Sequence, residues 1–529
     1  MSNCCGAAVK AAVPLDHGFA VVVPASSSAR THPVKRTARL PIVAVAAGLL
    51  LGASLPSHAQ PAPTPAASPS AEPVQGPTEG NPPGAPAARG ASPGGATNAG
   101  EDATEQPFAN RLLGDPGGLR TKLAGYGISL GLTEQSEVLG NLTGGVRRGA
   151  VYEGVTSLGL GIDTQKAFGL AGGTFNVTAF QFHGRGLTAD NVPTLAALTG
   201  VEQTVRGFKL FELWYEQVLL DKRLAIRVGQ LSADQEFIVT QYGGLFLNSG
   251  YGFPTLAAGD LPSGGPAYPL ATPAVRVKVV PNESLAVLVG VFNGNPAGPG
   301  LGDPQRRDRS GTAFRLNDGT FAIAEVQYGI NQGDNASGLP GTYKLGVWYN
   351  SLAFSDLRVS SAGLSLANPA NTAPARSRRN NYSVYAVADQ LIFKKPGTTD
   401  GGVGVFARVM GAPPDRNLVD VFIQGGVTYK APFAGRENDT VGIAASWAHI
   451  GRNASKLDTD RIAFTGQAIP VRRSETQFEL SYQAQLASWF QLQPDFQYVF
   501  NPGGGLLNAR NSRRVGDAAV LDLRATITF

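Results

Sequence analysis

Thiols and imidazoles are scarce in the body of this chain. Of two cysteines and five histidines, most lie near the start: Cys4, Cys5, His17, His32 and His58. Beyond residue 59 this excludes a disulfide framework, a thiolate metal site and a cysteine nucleophile. Only His183 and His449 remain there, and neither sits in a recognisable serine motif, so the sequence argues against an enzyme. No nucleotide-binding loop or other cofactor motif is present, and we expect no cofactor and no metal.

Charge is also sparse, since Asp, Glu, Lys and Arg make up 16% of the 529 residues. The formal net charge is +5, but residues 1–59 hold five basic residues and one acidic residue, so the remainder carries +1. A nearly neutral chain has no electrostatic reason to bind a polyanion, and we expect no nucleic-acid partner.

The N-terminal residues 1–59 have the order of a secretory signal peptide. Lys35, Arg36 and Arg39 precede an apolar run from Ile42 to Leu55, and Ser57-His58-Ala59 forms a small-x-small cleavage site. The run is too short and too rich in alanine for a stable membrane span. Residues 1–33 are unusual upstream of such a signal, and we interpret them as a translation start assigned too early.

Residues 60–106 are rich in proline, alanine, glycine and serine. Such a composition buries too little apolar surface to fold, so we expect a disordered periplasmic tether. Weak contact with the cell wall is an alternative role for it. No later segment contains 18 consecutive apolar residues, which argues against a membrane helix.

Residues 127–529 instead show period-two alternation, clearest at the C-terminus. Leu521 and Leu523 alternate with Asp522 and Arg524, and the pattern continues to Phe529. A buried sandwich core does not accept charges at alternate positions of neighbouring strands, whereas a membrane barrel turns one face to lipid and the other to a lumen. We count sixteen such segments, and therefore predict an all-β fold: a sixteen-stranded antiparallel transmembrane β-barrel.

In chain order, the connections between these segments alternate between two sets of different length. Alternate connections are short, at 221–222, 281–283 and 487–488, as expected of periplasmic turns. The others are mostly long and are expected to be outer loops: 184–207, 232–272, 293–318, 351–379 and 450–474.

The two ends of the mature chain carry further signals. Within 107–126, Asp115 and Pro116 have the order of a helix N-cap and first helical residue, which predicts a short amphipathic periplasmic helix. The terminal Phe529 resembles the signal that barrel-assembly machinery reads in outer-membrane proteins, and we expect that machinery as a partner.

Several sequence blocks resemble the carbohydrate-selective porin family of the OprB type. Leu113 to Arg120 is similar to its N-terminal signature, although the family usually has tryptophan at the position of Pro116. The most specific blocks are FELWYEQ at 211–217 and RVGQLSADQEF at 227–237. Further similarities lie at 343–349, 406–409, 415–420, 492–499 and 501–504, so the likeness spans about 108–529. It implies an outer-membrane channel for small sugars.

Sixteen strands leave an aqueous channel whose selectivity depends on its narrowest section. The third outer loop, 232–272, is the candidate for that section, and it carries Asp234 and Glu236. General porins fold this loop inward; the alternative is an exposed lid.

The fourth strand supplies the main candidates on the wall. Glu212, Trp214 and Glu216 share one face, which we assign to the lumen, while Phe211, Leu213 and Tyr215 share the other. Trp214 is then a stacking platform for a sugar ring, or alternatively part of the interfacial aromatic belt. Arg227 has the same parity on the next strand and is expected either to contact solute or only to pair with a glutamate. Lys344 and Trp348 are further candidates.

The sequence therefore predicts an outer-membrane porin for passive diffusion of small hydrophilic solutes, with sugars such as glucose preferred and outer-membrane lipid around it. The first alternative is a general, non-selective porin. A more remote alternative is an outer-membrane barrel enzyme, which would need a base beside a nucleophile.

Overall fold

The computed structural model describes residues 110–332, 337–508 and 512–529. The expected signal peptide at 1–59 and the tether at 60–106 lie outside the described residues. Among those that are described, no helix is both long and apolar enough to cross a membrane.

The described chain is dominated by antiparallel strands, which form a closed sixteen-stranded barrel. The first eight are β1 (Ile128–Gly145), β2 (Gly149–Asp163), β3 (Gly173–Gly184), β4 (Gly207–Leu219), β5 (Leu224–Leu231), β6 (Thr272–Asn282), β7 (Leu285–Asn293) and β8 (Thr320–Ile330). The next seven are β9 (Gly341–Ser360), β10 (Ala375–Lys394), β11 (Gly402–Gly411), β12 (Val419–Lys430), β13 (Thr440–Ile450), β14 (Ser474–Ala487) and β15 (Phe490–Phe500). Two-residue strands β16 (Leu507–Asn508) and β17 (Arg513–Arg514) pair outside the barrel, and β18 (Gly516–Thr528) completes it.

Seven short helices lie outside the wall. They are α1 (Leu119–Gly125), α2 (Thr164–Phe168), α3 (Ser249–Gly252), α4 (Thr255–Asp260), α5 (Pro304–Arg307), α6 (Arg452–Thr465) and α7 (Pro502–Gly505) in the described part of the chain. All but α1 lie in connections between strands.

The barrel closes where its first and last strands pair. β1 runs antiparallel to β18, with Glu137 opposite Arg524 and Val138 opposite Leu523. Closure removes the free sheet edges, so the wall strands satisfy one another's backbone groups, as a membrane requires. The predicted fold class and the number of strands are confirmed.

The alternating pattern coincides with the two faces of the wall. On β18, Leu521 and Leu523 are 47% and 45% exposed, whereas Asp522 and Arg524 are 5% and 8% exposed. The same separation holds on β9, where Leu345 and the residues two and four positions further point outward. Apolar side chains therefore cover the outside, and the charged side chains of these strands face the interior.

Connection lengths also follow the prediction, with one difference. The expected long connection 351–379 is only 361–374, because β9 and β10 continue as a paired hairpin beyond the lipid-facing part of the wall. Polar side chains hold this extension together: Arg378 donates to Asp356 across the two strands at 2.7 Å. The alternation of apolar side chains therefore ends before the hydrogen-bonded pairing of β9 and β10 does.

The N-terminal helix begins later than the sequence predicted. Gly117 and Gly118 have positive φ values of 62° and 72°, so a short turn occupies Pro116–Gly118 and α1 starts at Leu119. The N-cap position is Gly118, but the Asp115 side chain reaches the first turn and accepts from the backbone of Arg120 at 2.7 Å and from that of Thr121 at 3.3 Å. Arg120 in turn donates to the backbone oxygen of Phe529 at 2.9 Å, which places α1 at the end of the barrel with the short turns.

We predict that a charge on the outer face of β9 destabilises the barrel. Leu345 is 61% exposed there, and Leu345→Arg should lower the free energy of unfolding in lipid vesicles by about 2–4 kcal/mol, because arginine is costly at the depth of the hydrocarbon. Leu364→Arg, in the outer loop, is the control and should change it by less than about 0.5 kcal/mol. Equal losses in urea titrations of both variants would contradict the lipid-facing assignment.

Candidate functional site

The long outer loop between β5 and β6, residues 232–271, folds into the barrel; we call it the cross-lumen loop. Its Ile238 N–H donates to Glu325 on β8 at 2.8 Å, and its Thr240 hydroxyl donates to Asp389 on β10 at 2.5 Å. Further along, the backbone N–H groups of Leu247 and Asn248 donate to Glu479 on β14. Because β14 lies almost opposite β5 around the ring, the loop spans the lumen. The interpretation as an inward loop is confirmed, and the exposed lid is wrong.

Arg408 on β11 holds the middle of this loop. Its guanidinium donates to the carbonyl oxygens of Ile238 at 2.8 Å, Gly250 at 2.8 Å and Tyr251 at 3.0 Å, and more weakly to that of Gly252 at 3.2 Å. A backbone without strand or helix partners needs such donors when it is buried. Arg408 is 1% exposed, so its guanidinium takes the place of the water molecules that would otherwise donate to these carbonyl oxygens.

Close approach of the loop to the wall also requires glycine. A Cβ on Gly442 of β13 would lie 2.6 Å from the Leu245 side chain, and one on Gly404 of β11 would clash with the ring of Tyr242. These two wall positions therefore admit the cross-lumen loop only because they carry no side chain.

Four charged side chains meet where the cross-lumen loop leaves β5, and we call them the charge cluster: Glu216, Arg227, Glu236 and Arg276. Arg227 lies 3.0 Å from Glu216 and 3.4 Å from Glu236. Arg276 on β6 pairs with Glu236 at 2.5 Å and also with Glu216. Two guanidinium groups thus bridge a wall carboxylate and a loop carboxylate.

The loop carboxylate of this cluster is strongly acidic. Burial alone would raise the pKa of Glu236, but the guanidinium groups of Arg227 and Arg276 outweigh it and lower the pKa to about 2. Glu236 therefore remains ionised, and its ion pairs persist, over the whole physiological range of pH.

Trp214 lies beside the charge cluster on the inner face of β4. Its indole N–H donates to Glu212 at 3.2 Å, and the guanidinium of Arg227 stacks 3.8 Å from the centre of its ring. Glu212 also accepts from the backbone of Ser232 at 3.0 Å. Trp214 is inside the barrel rather than in an interfacial belt, and one face of its ring is already covered by Arg227.

Phe211 was expected on the outer face with Leu213 and Tyr215, and that expectation is wrong. A β-bulge opposite Thr178 and Ala179 inserts one extra residue, so Phe211 and Glu212 both turn inward. Phe211 is 2% exposed and packs against Phe180 and Tyr268, with ring centres 5.1 Å and 5.6 Å away. Period-two counting cannot anticipate a bulge.

The three remaining candidates also lie inside the barrel. Asp234 accepts from the Ser232 hydroxyl at 2.6 Å and from the backbone of Tyr268 at 3.2 Å. Lys344 donates to the backbone oxygen of Val239 at 2.7 Å, so it holds the cross-lumen loop. Trp348 belongs to an apolar cluster and lies 6.0 Å from the ring of Phe321.

A second outer loop, residues 185–206, also enters the lumen, which the sequence did not indicate. Its Leu195 N–H donates to Glu475 at 3.0 Å, and its Thr199 hydroxyl accepts from Arg524 at 3.0 Å. It contacts the cross-lumen loop through Gly200, whose N–H donates to the Leu247 oxygen at 3.0 Å. This loop therefore narrows the channel together with the cross-lumen loop.

Sequence reasoning also missed Arg276 and Arg408 as site residues. Both alternate with outward apolar residues on strands that the pattern did identify, so the alternation could have predicted that they face the interior. Their partners, however, lie on a loop whose path is irregular, so no spacing rule could have matched them.

The fold and the interior together define a class of protein. A closed barrel with an apolar exterior, a polar interior and loops folded into the lumen is an outer-membrane porin. Residues 147–529 match the family model described as carbohydrate-selective porin, OprB family. The chain belongs to this family and is an outer-membrane carbohydrate porin.

Individual relatives agree with this assignment. Porin B of Pseudomonas aeruginosa is 26% identical over 418 residues, covering 75% of this chain and 88% of that protein. The putative porin QuiX of Acinetobacter baylyi is 23% identical over 441 residues, covering 79% and 93%. The structure of Pseudomonas putida OprB at high pH superposes with a TM-score of 0.71 at 24% identity, covering 80% of this chain and 99% of that one, which shows a shared fold.

We predict that Arg408→Gln releases the cross-lumen loop. Buried carbonyls left without donors cost about 1–3 kcal/mol each, so the loop should leave the wall, and single-channel current should become larger and noisier. Arg379→Gln removes an exposed arginine near the outer end of β10 and should leave the current unchanged. Unaltered conductance in a folded Arg408→Gln channel would contradict the holding role.

The acidity of Glu236 predicts a pH dependence of stability. Its pKa is about 2 in the folded protein against an ordinary value of 4.5. Because the folded value is lower, the ion pairs stabilise the barrel fully above about pH 4.5 and are lost as the pH falls through about 2. Melting followed by circular dichroism should show a gap between the natural chain and Glu236→Gln that closes in this range. A gap constant from neutral pH down to the lower limit would refute the assignment.

Proposed function

We propose that this porin passes monosaccharides such as glucose by passive diffusion. The constriction consists of the candidate residues on β4, β5, β9 and the cross-lumen loop: Glu212, Trp214, Glu216, Arg227, Asp234, Glu236, Lys344 and Trp348. The observation that carries the proposal is the charge cluster beside Trp214, where donors and acceptors alternate on a wall narrowed by the cross-lumen loop.

A sugar presents a rim of hydroxyl groups that both donate and accept. Guanidinium groups only donate and carboxylates only accept, so a site that alternates them suits such a rim better than it suits a solute with one charge. The charge cluster contains two of each kind, and its charges cancel. Because Arg227 covers Trp214, we assign Trp214 the role of holding that guanidinium flat. Arg227 and Arg276 are 3% and 2% exposed, so they hold the carboxylates of Glu216 and Glu236 in place, and Glu236, whose side chain is 20% exposed, contacts the solute.

The membership of a porin family supports a further proposal, that the chain is not an enzyme. His183 Nε2 is hydrogen-bonded to the hydroxyl of Tyr152, a residue on the outer surface, at 3.0 Å. His449 Nδ1 is hydrogen-bonded to the Asp420 carboxylate at 2.6 Å. In the part of the chain that the structure describes, neither imidazole is hydrogen-bonded to a serine hydroxyl or to the charge cluster, as a base beside a nucleophile in the channel would require.

We also propose partners outside the channel. Outer-membrane lipid covers the apolar exterior, and barrel-assembly machinery recognises the C-terminal strand through Phe529. The Phe529 N–H donates to the Leu132 oxygen at 2.9 Å, so this residue helps to close the seam between the first and last strands. Weak contact with the cell wall through residues 60–106 completes the proposal.

We predict that liposomes containing the porin swell faster in glucose than in an amino acid of equal size. The reason is that a zwitterion must give up the hydration of two full charges on entering the narrow section, whereas the hydroxyl groups of a sugar are neutral and cost less to desolvate. Arg276→Gln should reduce the ratio of the two rates, and Arg379→Gln is the matched control with the ratio of the natural chain. Equal rates for glucose and the amino acid in the natural chain would replace this proposal by the alternative, a general porin.

A further inference from the structure

Exposed arginines crowd the outer ends of three neighbouring wall strands, β2, β3 and β4. Arg148 lies in the connection that leads into β2, Arg185 follows β3 directly, and Arg206 precedes β4 directly. Arg147 and Arg309 lie beside them, and all five residues are exposed. We call these five residues the arginine strip.

Backbone contacts bring the first part of the strip together. The Arg185 N–H donates to the Tyr152 oxygen on β2 at 2.8 Å, which continues the pairing of β2 with β3. The guanidinium of Arg147 donates to the Asp190 backbone oxygen at 3.1 Å, so the connection between β1 and β2 contacts the loop that follows β3.

The second part of the strip is joined to the first through β4. Phe182 of β3 is opposite Gly207 of β4, so Arg206 lies one position further along, beside the outer end of β3. The guanidinium of Arg309 donates to the Arg206 backbone oxygen at 3.3 Å. The five arginines therefore form one continuous patch on the outer margin of the barrel.

The strip carries an excess of positive charge. Asp190 lies 3.1 Å from Arg147 and 3.9 Å from Arg185, but the three side chains are all exposed, so water and salt screen these pairs. The other three arginines of the strip form no ion pair with any residue that the structure describes. By contrast, Arg472 in the connection between β13 and β14 is held by Asp458 at 2.8 Å.

Outward rings lie directly beneath the strip. Tyr152 on β2 and Phe208 on β4 are 48% and 70% exposed, and His183 on β3 is two residues before Arg185. Outward aromatic side chains near the ends of barrel strands mark the level of the lipid head groups. The guanidinium groups of the strip are therefore at the height of the lipid phosphates.

The outward face below these rings offers hydrogen bonds. The Tyr152 hydroxyl is hydrogen-bonded to His183 Nε2 at 3.0 Å and to the Ser136 hydroxyl at 3.1 Å. Ser136 in turn donates to Glu134 at 2.9 Å, and Thr156 donates to the same carboxylate at 2.5 Å. On β7 the exposed outward positions are valines instead. A lipid beside β2 and β3 therefore meets polar groups at the level where its chains join the head group.

We propose that the arginine strip binds the phosphate group of an anionic lipid in the outer leaflet, whose acyl chains lie against the outward rings of β2, β3 and β4. Charge complementarity selects this occupant, because five guanidinium groups share one carboxylate and a guanidinium matches phosphate with paired donors. A soluble phosphate ion would gain nothing from the exposed rings beneath the strip. The site lies outside the barrel, so the proposal goes beyond solute transport and does not depend on it.

The test uses the full-length porin in neutral detergent micelles at low salt. The protein is titrated into phosphatidic acid or phosphatidylcholine of equal chain length, each with a fluorophore on one chain, and fluorescence anisotropy gives the two dissociation constants. We expect phosphatidic acid to bind more tightly. About 1 M salt should remove the difference, because the Debye length falls to about 3 Å.

Arg148→Gln and Arg206→Gln test the source of the preference. Each should weaken the binding of phosphatidic acid about fivefold, the effect of about 1 kcal/mol per arginine near a membrane surface, and leave phosphatidylcholine unchanged. Both side chains are exposed, so the barrel should fold normally. Arg379→Gln is the matched control and should change neither constant, because this exposed arginine lies on the paired extension of β9 and β10 beyond the lipid-facing wall.

Equal dissociation constants for the two lipids, or the same loss in Arg206→Gln and in Arg379→Gln, would overturn the proposal. Two further results would assign the strip to another occupant and overturn it as well. Inorganic phosphate that displaces more lipid than sodium chloride of equal ionic strength would indicate a site for a soluble anion. Cross-linking of two copies through this face in lipid vesicles would indicate a contact between porins.

Discussion

The alternation of outward and inward side chains along the wall strands is the constraint on which the rest of this structure depends. A closed sheet satisfies its own backbone hydrogen bonds, so side chains alone decide which face meets lipid and which meets water. On β18, outward Leu521 and Leu523 and inward Asp522 and Arg524 occupy consecutive positions. A shift of one residue would place these two charges in hydrocarbon, and the register is therefore fixed.

The interior loops depend on the polar half of that alternation. Inside the barrel the cross-lumen loop has no strand to pair with, yet its backbone groups are buried. Inward side chains at regular wall positions replace the missing partners: Glu325 and Glu479 accept from its N–H groups, and Arg408 and Lys344 donate to its carbonyls. The wall therefore positions the constriction, and its inward charged side chains hold the cross-lumen loop in place as well as facing the channel.

Much of the fold was readable from the sequence because alternation and loop parity are local signals. The sixteen antiparallel strands and the separation of short from long connections followed from them, whereas the inward third loop was expected by analogy with general porins. The bulge that turns Phe211 inward and the paired extension of β9 and β10 did not, because cross-strand partners set both. The inward loop 185–206 escaped notice since its contacts, such as Thr199 with Arg524, join residues far apart in the chain. At the site, alternation predicted that Trp214 and Arg227 both face the interior. It could not predict that the two side chains stack, because they lie on different strands.

The most direct test of the central constraint exploits the sequence of residues 60–529, which contains no cysteine. Single cysteines at each position from Leu521 to Thr528 would be exposed to a water-soluble thiol reagent with the porin in lipid vesicles. The account predicts labelling with a period of two, at Asp522, Arg524, Thr526 and Thr528, and protection at the positions between them. Labelling that is uniform along β18, or that follows a period near 3.6, would contradict it.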